Sequence, residues 1–135
     1  VEIDHVGVAV KSLEESVKTY VQALGLTLRS VSVNPDENVR VAFLDAGGAS
    51  VELLESTSPD GVIARFIERR GEGLHHICLR VERLDEALIG MRAKGVQLVG
   101  EESRASSTGG RVAFVHPRSA HGVLIELIEG ERGSR

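Results

Sequence analysis

The chain is poor in several features that mark particular protein classes. One cysteine in 135 residues, Cys78, leaves no partner for an intramolecular disulfide and fits a reducing compartment. Tryptophan is absent and aromatics make up only 3% of the chain, so a base-stacking platform is not expected. Neither sign of charge dominates: 16 Lys+Arg face 20 Asp+Glu, and a net charge of −4 offers no global field for nucleic acid. No apolar run reaches the ~18 residues of a membrane span. No basic and apolar leader precedes the first patterned segment, so the sequence predicts a cytoplasmic protein with no secretory signal and no membrane association. What is present is a hydrophobic fraction of 41%, a charged fraction of 27% and 15 glycines, most of them at segment ends. That is the profile of one soluble domain over 1–135, long enough to bury a core without covalent staples.

The chain partly matches itself when displaced. At an offset of 71, His5-Val6-Gly7-Val8-Ala9-Val10 falls on His76-Ile77-Cys78-Leu79-Arg80-Val81, and Leu13-Glu14-Glu15 on Leu84-Asp85-Glu86. Arg40-Val41-Ala42-Phe43 falls on Arg111-Val112-Ala113-Phe114, four identities in a row. Later the offset becomes 74, and Val51-Glu52-Leu53-Leu54-Glu55 matches Ile125-Glu126-Leu127-Ile128-Glu129. Ordered matches at a nearly constant offset point to a duplicated unit.

Each unit reads as strand, helix and three strands. Ile3 to Val10 alternates, and Leu13, Val17, Tyr20 and Leu24 recur at helical spacing before Gly25. Strands follow near 26–33, 38–46 and 49–55, with Gly47-Gly48 as a tight turn. The second unit predicts a strand at 74–81, a helix with Leu84, Leu88 and Met91 inward and Gly95 at its end, then strands near 96–103, 111–116 and 123–129. The modules thus span about 3–55 and 74–129. Between them Ser58-Pro59-Asp60 opens a linking helix over about 58–71, with Val62, Ile63, Phe66 and Ile67 as its apolar stripe. The tail 130–135 is polar and predicted to fray.

Strand alternation assigns faces to the polar side chains. Val6 and Val8 pack toward the helix, so His5 faces away; Ile77, Leu79 and Val81 do likewise, so His76 faces away. On the last strand of each unit Val51 and Leu53, then Ile125 and Leu127, take the helix side and leave Glu52 and Glu126 with the histidines. Gly7 and Ala9 leave space above that face. A single strand histidine is ordinarily a satisfied core group, but carboxylates set among aliphatics require partners. Two imidazoles and two carboxylates suit a divalent cation and balance its charge. An octahedral ion so held keeps two positions for a bidentate substrate.

Other candidates are weaker. His75 has the opposite parity to His76 and faces the helix or an interface, and Cys78 reads as a small buried hydrophobe on the His76 face. His116-Pro117-Arg118-Ser119 and His121-Gly122 read as the turn before the last strand. Ser106-Ser107-Thr108-Gly109-Gly110 is a flexible loop, either a substrate cover or a plain hairpin connection. Arg104, Arg111 and Arg118 are either solvated or available to phosphate and carboxylate groups. There is no Walker or dinucleotide glycine loop and no Gly-x-Ser-x-Gly elbow.

The residues from Ile3 to Glu129 resemble the vicinal oxygen chelate (glyoxalase/bleomycin resistance/dioxygenase) superfamily and, within it, the methylmalonyl-CoA epimerases. The resemblance rests on Asp4-His5-Val6-Gly7-Val8-Ala9-Val10, on Val51-Glu52-Leu53-Leu54-Glu55 with Ser58-Pro59-Asp60, on Gly71-Glu72-Gly73-Leu74-His75-His76-Ile77, and on His116-Pro117-Arg118-Ser119 with Gly122-Val123-Leu124-Ile125-Glu126-Leu127. It implies an α+β fold of two tandem βαβββ modules forming a cupped eight-stranded mixed sheet, and metal ligands at His5, Glu52, His76 and Glu126. It further implies cobalt as the ion (manganese, nickel or zinc being the alternatives), an acyl-CoA substrate and a homodimer. The implied reaction interconverts (2R)- and (2S)-methylmalonyl-CoA by proton exchange at C2. Glu52 and Glu126, the carboxylates that strand parity puts on the face of His5 and His76, are expected to contribute the two bases, directly or through bound water. Two features depart from the pattern. Some epimerases have Gln where Glu52 stands and a separate Glu on the neighbouring strand, where this chain has Val41; and Ala105-Ser106-Ser107-Thr108 precedes the glycine pair. The alternative expectations are a glyoxalase-I-type lactoylglutathione lyase and a metal-free, drug-sequestering binding protein of the same fold.

Overall fold

The computed structural model describes residues 1–100, 104, 105 and 111–130. It divides into two compact units, His5–His75, and Val1–Asp4 together with His76–Arg135. Each carries the βαβββ order of an α+β fold. Among the described residues no helix is long and apolar enough to cross a membrane.

The first unit contains most of β1 (Glu2–Ala9), then α1 (Leu13–Lys18), β2 (Thr27–Asn34), β3 (Val39–Ala46), β4 (Ala49–Ser56) and α2 (Val62–Arg70). Its strand order is β2-β3-β4-β1, with β1 parallel to β4 and the other neighbours antiparallel. α1 packs on one face, where Val10, Leu13, Ala42, Leu44 and Leu53 are buried with Val17, Tyr20 and Val21 against them. α2 covers the far end of the other face, setting Ile63, Phe66 and Ile67 on Ala9, Val39, Val41 and Leu54. In the second unit β5 (Gly73–Val81), α3 (Leu84–Ala93), β6 (Arg104–Ala105), β7 (Arg111–Val115) and β8 (Leu124–Glu129) give the order β5-β8-β7-β6. Here β5 runs parallel to β8, and α3 buries Leu84 and Leu88 on Val81, Ala113, Val115 and Leu127.

The duplication extends to polar contacts. Glu55 at the end of β4 accepts the Leu13 N–H at the start of α1 at 2.9 Å, and Glu129 at the end of β8 accepts the Leu84 N–H at the start of α3 at 3.0 Å. These are orphan donors of a first helical turn, which a buried helix start must satisfy. Arg40 Nη2 donates to Glu14 at 2.6 Å and lies 2.9 Å from Glu55; the equivalent Arg111 forms a two-bond fork with Asp85 at 2.6 and 2.8 Å. Each guanidinium thereby ties the helix start to the sheet.

Three expectations change. The first helix ends as α at Lys18 and continues as a π segment, Thr19–Ala23, closed by Leu24 N–H to Thr19 O at 3.0 Å. The wider turn shifts the apolar register, so Val21 enters the core and Leu24 is 61% exposed. α2 starts at Val62, whose side chain faces solvent, while Ser58-Pro59-Asp60 forms the turn before it. No strand forms over 96–100: Val99 N–H to Phe114 O and His116 N–H to Gln97 O make brief contact with β7 before Gly100, at φ +82°, turns the chain. Val96 and Leu98 still pack against the α3 core. The expected loop 106–110, the rest of the expected strand at 101–103 and the tail 131–135 lie outside the described residues.

Candidate functional site

In the first unit the register sets Gly7 opposite Glu52, so His5, two residues back on β1, shares the Glu52 face. Both side chains are buried, His5 at 1% exposure and Glu52 at 8%. His5 Nδ1 lies 3.0 Å from Glu52 Oε2. In the second unit Cys78 is opposite Glu126, which puts His76 and Glu126 on one face, and His76 Nε2 lies 3.4 Å from Glu126 Oε1. Each unit therefore holds one imidazole–carboxylate pair, built from its first and last strands and on the face away from its α1-type helix; His5, Glu52 and His76 are buried and Glu126 is partly buried. Gly7 contributes by absence, since no side chain stands between His5 and Ala9 on that face.

Hydrophobic groups border both pairs. Phe43 is directly across from Glu52 and Phe114 directly across from Glu126. These phenylalanines are equivalent in the repeat and were legible in the Arg-Val-Ala-Phe identity. The β3 neighbour of Glu52 is Phe43 rather than Val41, which pairs with Leu54 one step further and is buried under α2. On the same face of β3 the next carboxylate is Asp45, half exposed and 3.4 Å from Arg29. Cys78, Val112 and Ile128 form a buried apolar patch beside Glu126, so Cys78 is packed as a small hydrophobe.

The remaining sequence candidates have local roles. His75 stands edge-on to Phe66 of α2, with ring centroids 4.9 Å apart. His116 Nδ1 accepts the Arg118 N–H at 3.0 Å and so caps the short 3₁₀ turn Pro117–Ala120, while Ser119 Oγ accepts the Gln97 N–H at 2.8 Å. His121 takes the left-handed conformation that leads through Gly122 toward β8. Arg111 spends its fork on Asp85, which raises its pKa above the ordinary guanidinium value.

One charged cluster was missed. Arg80, on the His76 face of β5, is buried and bonds Asp4 through Nη2 and Glu2 through Nη1 at 3.2 Å. Its Nε has no hydrogen-bond partner among the described residues. The signal was an arginine within an alternating apolar strand, where Ala9 stands in the other unit.

Chemically, the two pairs offer nitrogen and carboxylate-oxygen donors in largely dehydrated surroundings. Buried carboxylates need a counter-charge, and a dication balances two of them. The donor set therefore fits a divalent metal ion.

Comparison with known proteins bears on this geometry. The sequence profile of the Glyoxalase/Bleomycin resistance protein/Dioxygenase superfamily matches residues 4–114. YqjC, an uncharacterized protein of Bacillus subtilis, is 36% identical over 94% of this chain and 91% of its own. The mitochondrial methylmalonyl-CoA epimerase of Homo sapiens is 32% identical over 93% of this chain and 72% of its own. An ethylmalonyl-CoA/methylmalonyl-CoA epimerase of Cereibacter sphaeroides is 32% identical over 93% and 95%. Among solved structures, a methylmalonyl-CoA epimerase of Mycobacterium tuberculosis superposes with a TM-score of 0.87 at 36% identity, covering 96% of this chain and 88% of that one. A methylmalonyl-CoA epimerase in complex with methylmalonyl-CoA and NH4+ gives 0.84 at 34% identity, covering 96% and 94%.

Proposed function

The chain belongs to the Glyoxalase/Bleomycin resistance protein/Dioxygenase superfamily and to the methylmalonyl-CoA epimerase family within it, and we propose that it interconverts (2R)- and (2S)-methylmalonyl-CoA by removing and returning the C2 proton. The observation that carries the reading is the pair of equivalent His/Glu sets, His5 with Glu52 and His76 with Glu126. Relatives active on methylmalonyl-CoA, and one with that thioester bound, support the substrate class.

His5, Glu52, His76 and Glu126 would hold a divalent ion, cobalt, manganese, nickel or zinc. When bound, the ion supplies positive charge that neutralises the substrate carboxylate and offsets the charge developing on the thioester oxygen, an effect worth several kcal/mol. The protein's own groups do the rest. Inversion at a planar carbon requires an acid/base group on each side. Glu52 and Glu126 fill these roles, directly or through water: one carboxylate oxygen takes the C2 proton and the other side returns one. Phe43 and Phe114, across from the two glutamates, set apolar side chains beside them. His5 and His76 fix the carboxylates by contact at 3.0 and 3.4 Å.

Proton NMR of methylmalonyl-CoA in D₂O, with catalytic protein, added Co²⁺ or EDTA, tests the proposal. The expected result is rapid loss of the C2–H signal with metal and only background loss with EDTA. Background exchange in both samples rejects the activity, and turnover of methylglyoxal with glutathione then tests the lyase reading.

A further inference from the structure

We propose that Phe43, braced by Arg29, is the wall that measures the alkyl group on C2 of the substrate, passing a methyl group and rejecting a longer chain. The inference rests on the catalytic reading for its substrate class, and every residue it uses belongs to the His5–His75 unit. Strand pairing sets one row across the face that carries Glu52: Gly7 is opposite Glu52, Glu52 opposite Phe43, and Phe43 opposite Ser30. Glu52 is thus flanked by a position with no side chain and by a phenyl ring. Paired strands lie about 4.8 Å apart, so the ring stands one strand spacing from the carboxylate.

A β-bulge supplies the brace. Leu28 is opposite Leu44 and Ser30 opposite Phe43, so Arg29 is an extra residue between two regular pairs. Strict alternation would put Arg29 and Ser30 on opposite faces; the bulge brings both to the face of Phe43. Arg29 Cζ lies 5.7 Å from the Phe43 ring centroid, and its Nη1 lies 3.4 Å from Asp45 Oδ1 on the same face of β3. Phe43 also packs against the cluster of Ala9, Val39, Val41, Leu54 and Ile63. The ring is therefore held by a cation and by the core under α2, yet it remains partly exposed. A side chain locked in this way can act as a fixed boundary.

The chemistry makes this boundary selective. C2 carries a proton, the thioester carbon, the carboxylate carbon and the alkyl group. The reaction fixes the first three: the proton must point at an acid/base group, and the thioester and carboxylate take up the charge. Only the alkyl group is free to vary, and it extends sideways from the line between C2 and Glu52. Gly7 leaves room for the reacting carbon on one side of Glu52, and Phe43 ends that room on the other. A chain longer than methyl must displace the ring or move C2 away from Glu52. One methylene in a hydrophobic pocket already shifts selectivity by roughly tenfold or more.

Loss of the C2–H signal in D₂O, followed for methylmalonyl-CoA and butylmalonyl-CoA with the full chain and Co²⁺, tests the wall. The unaltered protein is expected to give a kcat/KM at least about tenfold higher for the methyl compound. Phe43→Ala should raise the butyl-to-methyl ratio of kcat/KM at least about tenfold, and Phe43→Leu, which keeps apolar packing, should raise it in the same direction. Arg29→Gln should raise the ratio about threefold, whereas Arg29→Lys, which keeps a cation over the ring, should leave it near the unaltered value. A loss of stability lowers both rates together, so the ratio separates a wall from a merely structural role. Equal kcat/KM for the two thioesters in the unaltered protein overturns the proposal, as does a ratio that neither Phe43 variant moves; a ratio unmoved by Arg29→Gln removes the brace. If the unaltered protein exchanges neither thioester, the catalytic reading fails, and calorimetric dissociation constants for the two thioesters decide the wall instead. Tighter binding of methylmalonyl-CoA that Phe43→Ala levels supports it, and any other binding result overturns it.

Discussion

The Glu55 carboxylate at the end of β4 accepts the backbone N–H of Leu13, 42 residues earlier, at 2.9 Å. The same bond recurs in the other unit between Glu129 and Leu84 at 3.0 Å. Each glutamate lies three residues beyond a proposed ligand, Glu52 or Glu126, and on the opposite face of its strand. The bond therefore fixes where the strand carrying the ligand stands against its helix.

Glu55→Ala and Glu129→Ala, which remove the acceptor, should each cost about 1 kcal/mol, the usual worth of a helix-start cap. Urea unfolding checks this. Equal losses at the two positions are expected from the repeated geometry, and an unchanged midpoint for either variant contradicts a capping role.

Glu126→Gln should reduce exchange of the substrate proton by about 10²–10⁴-fold, the range for loss of a positioned acid/base group. The amide keeps the shape of the carboxylate, so circular dichroism should be unchanged. Near-unaltered C2–H exchange would remove Glu126 from the chemistry.

Metal retention should depend on both units. Protein dialysed against trace Co²⁺ is expected to hold about one ion per chain, and His5→Ala or His76→Ala should hold almost none. A ligand that binds only the folded state at 100 times its dissociation constant adds about 2.7 kcal/mol. EDTA should therefore lower the melting temperature of the unaltered protein and leave both variants unmoved. A melting temperature insensitive to EDTA contradicts the site.

The Arg40 hydrogen bond holds the Glu14 carboxyl below its ordinary value. Its contribution to stability is thus fully present above the unfolded carboxyl pKa and is lost as pH falls through the lower folded value. The pair is on the surface, so the effect is small and screened by salt. The stability gap between the protein and Glu14→Gln should be open at pH 7, narrow in acid and shrink in high salt. A gap constant with pH contradicts the ion pair.

Much of the architecture was legible because its signals are local and repeat. Period-2 alternation marked β1 and β5 and put His5 and His76 on the face away from the helix. The same rule put Glu52 and Glu126 on that face at the other end of each unit. The Arg-Val-Ala-Phe identity marked β3 and β7, and it also carried the Arg40 and Arg111 ties and the Phe43 and Phe114 neighbours. What escaped was whatever depends on which surface an element meets. Leu24 fits the helical stripe in sequence, yet the π segment turns it outward and Val21 inward. Val62 fits the stripe of α2 and faces solvent. Val96 and Leu98 alternate like a strand, yet they pack as a short extended piece that Gly100 ends.

The sequence by itself determined the two βαβββ units and the parity that gives His5, Glu52, His76 and Glu126 their faces, because alternation and duplication are properties of neighbours along the chain. Only the tertiary structure decided that each histidine stands within 3.0 or 3.4 Å of its glutamate, that Phe43 rather than Val41 faces Glu52, and that Arg80 is buried against Asp4. Those outcomes depend on strand register and on charges far apart in sequence. Register is set by the summed packing of a whole face, which no short stretch of residues encodes.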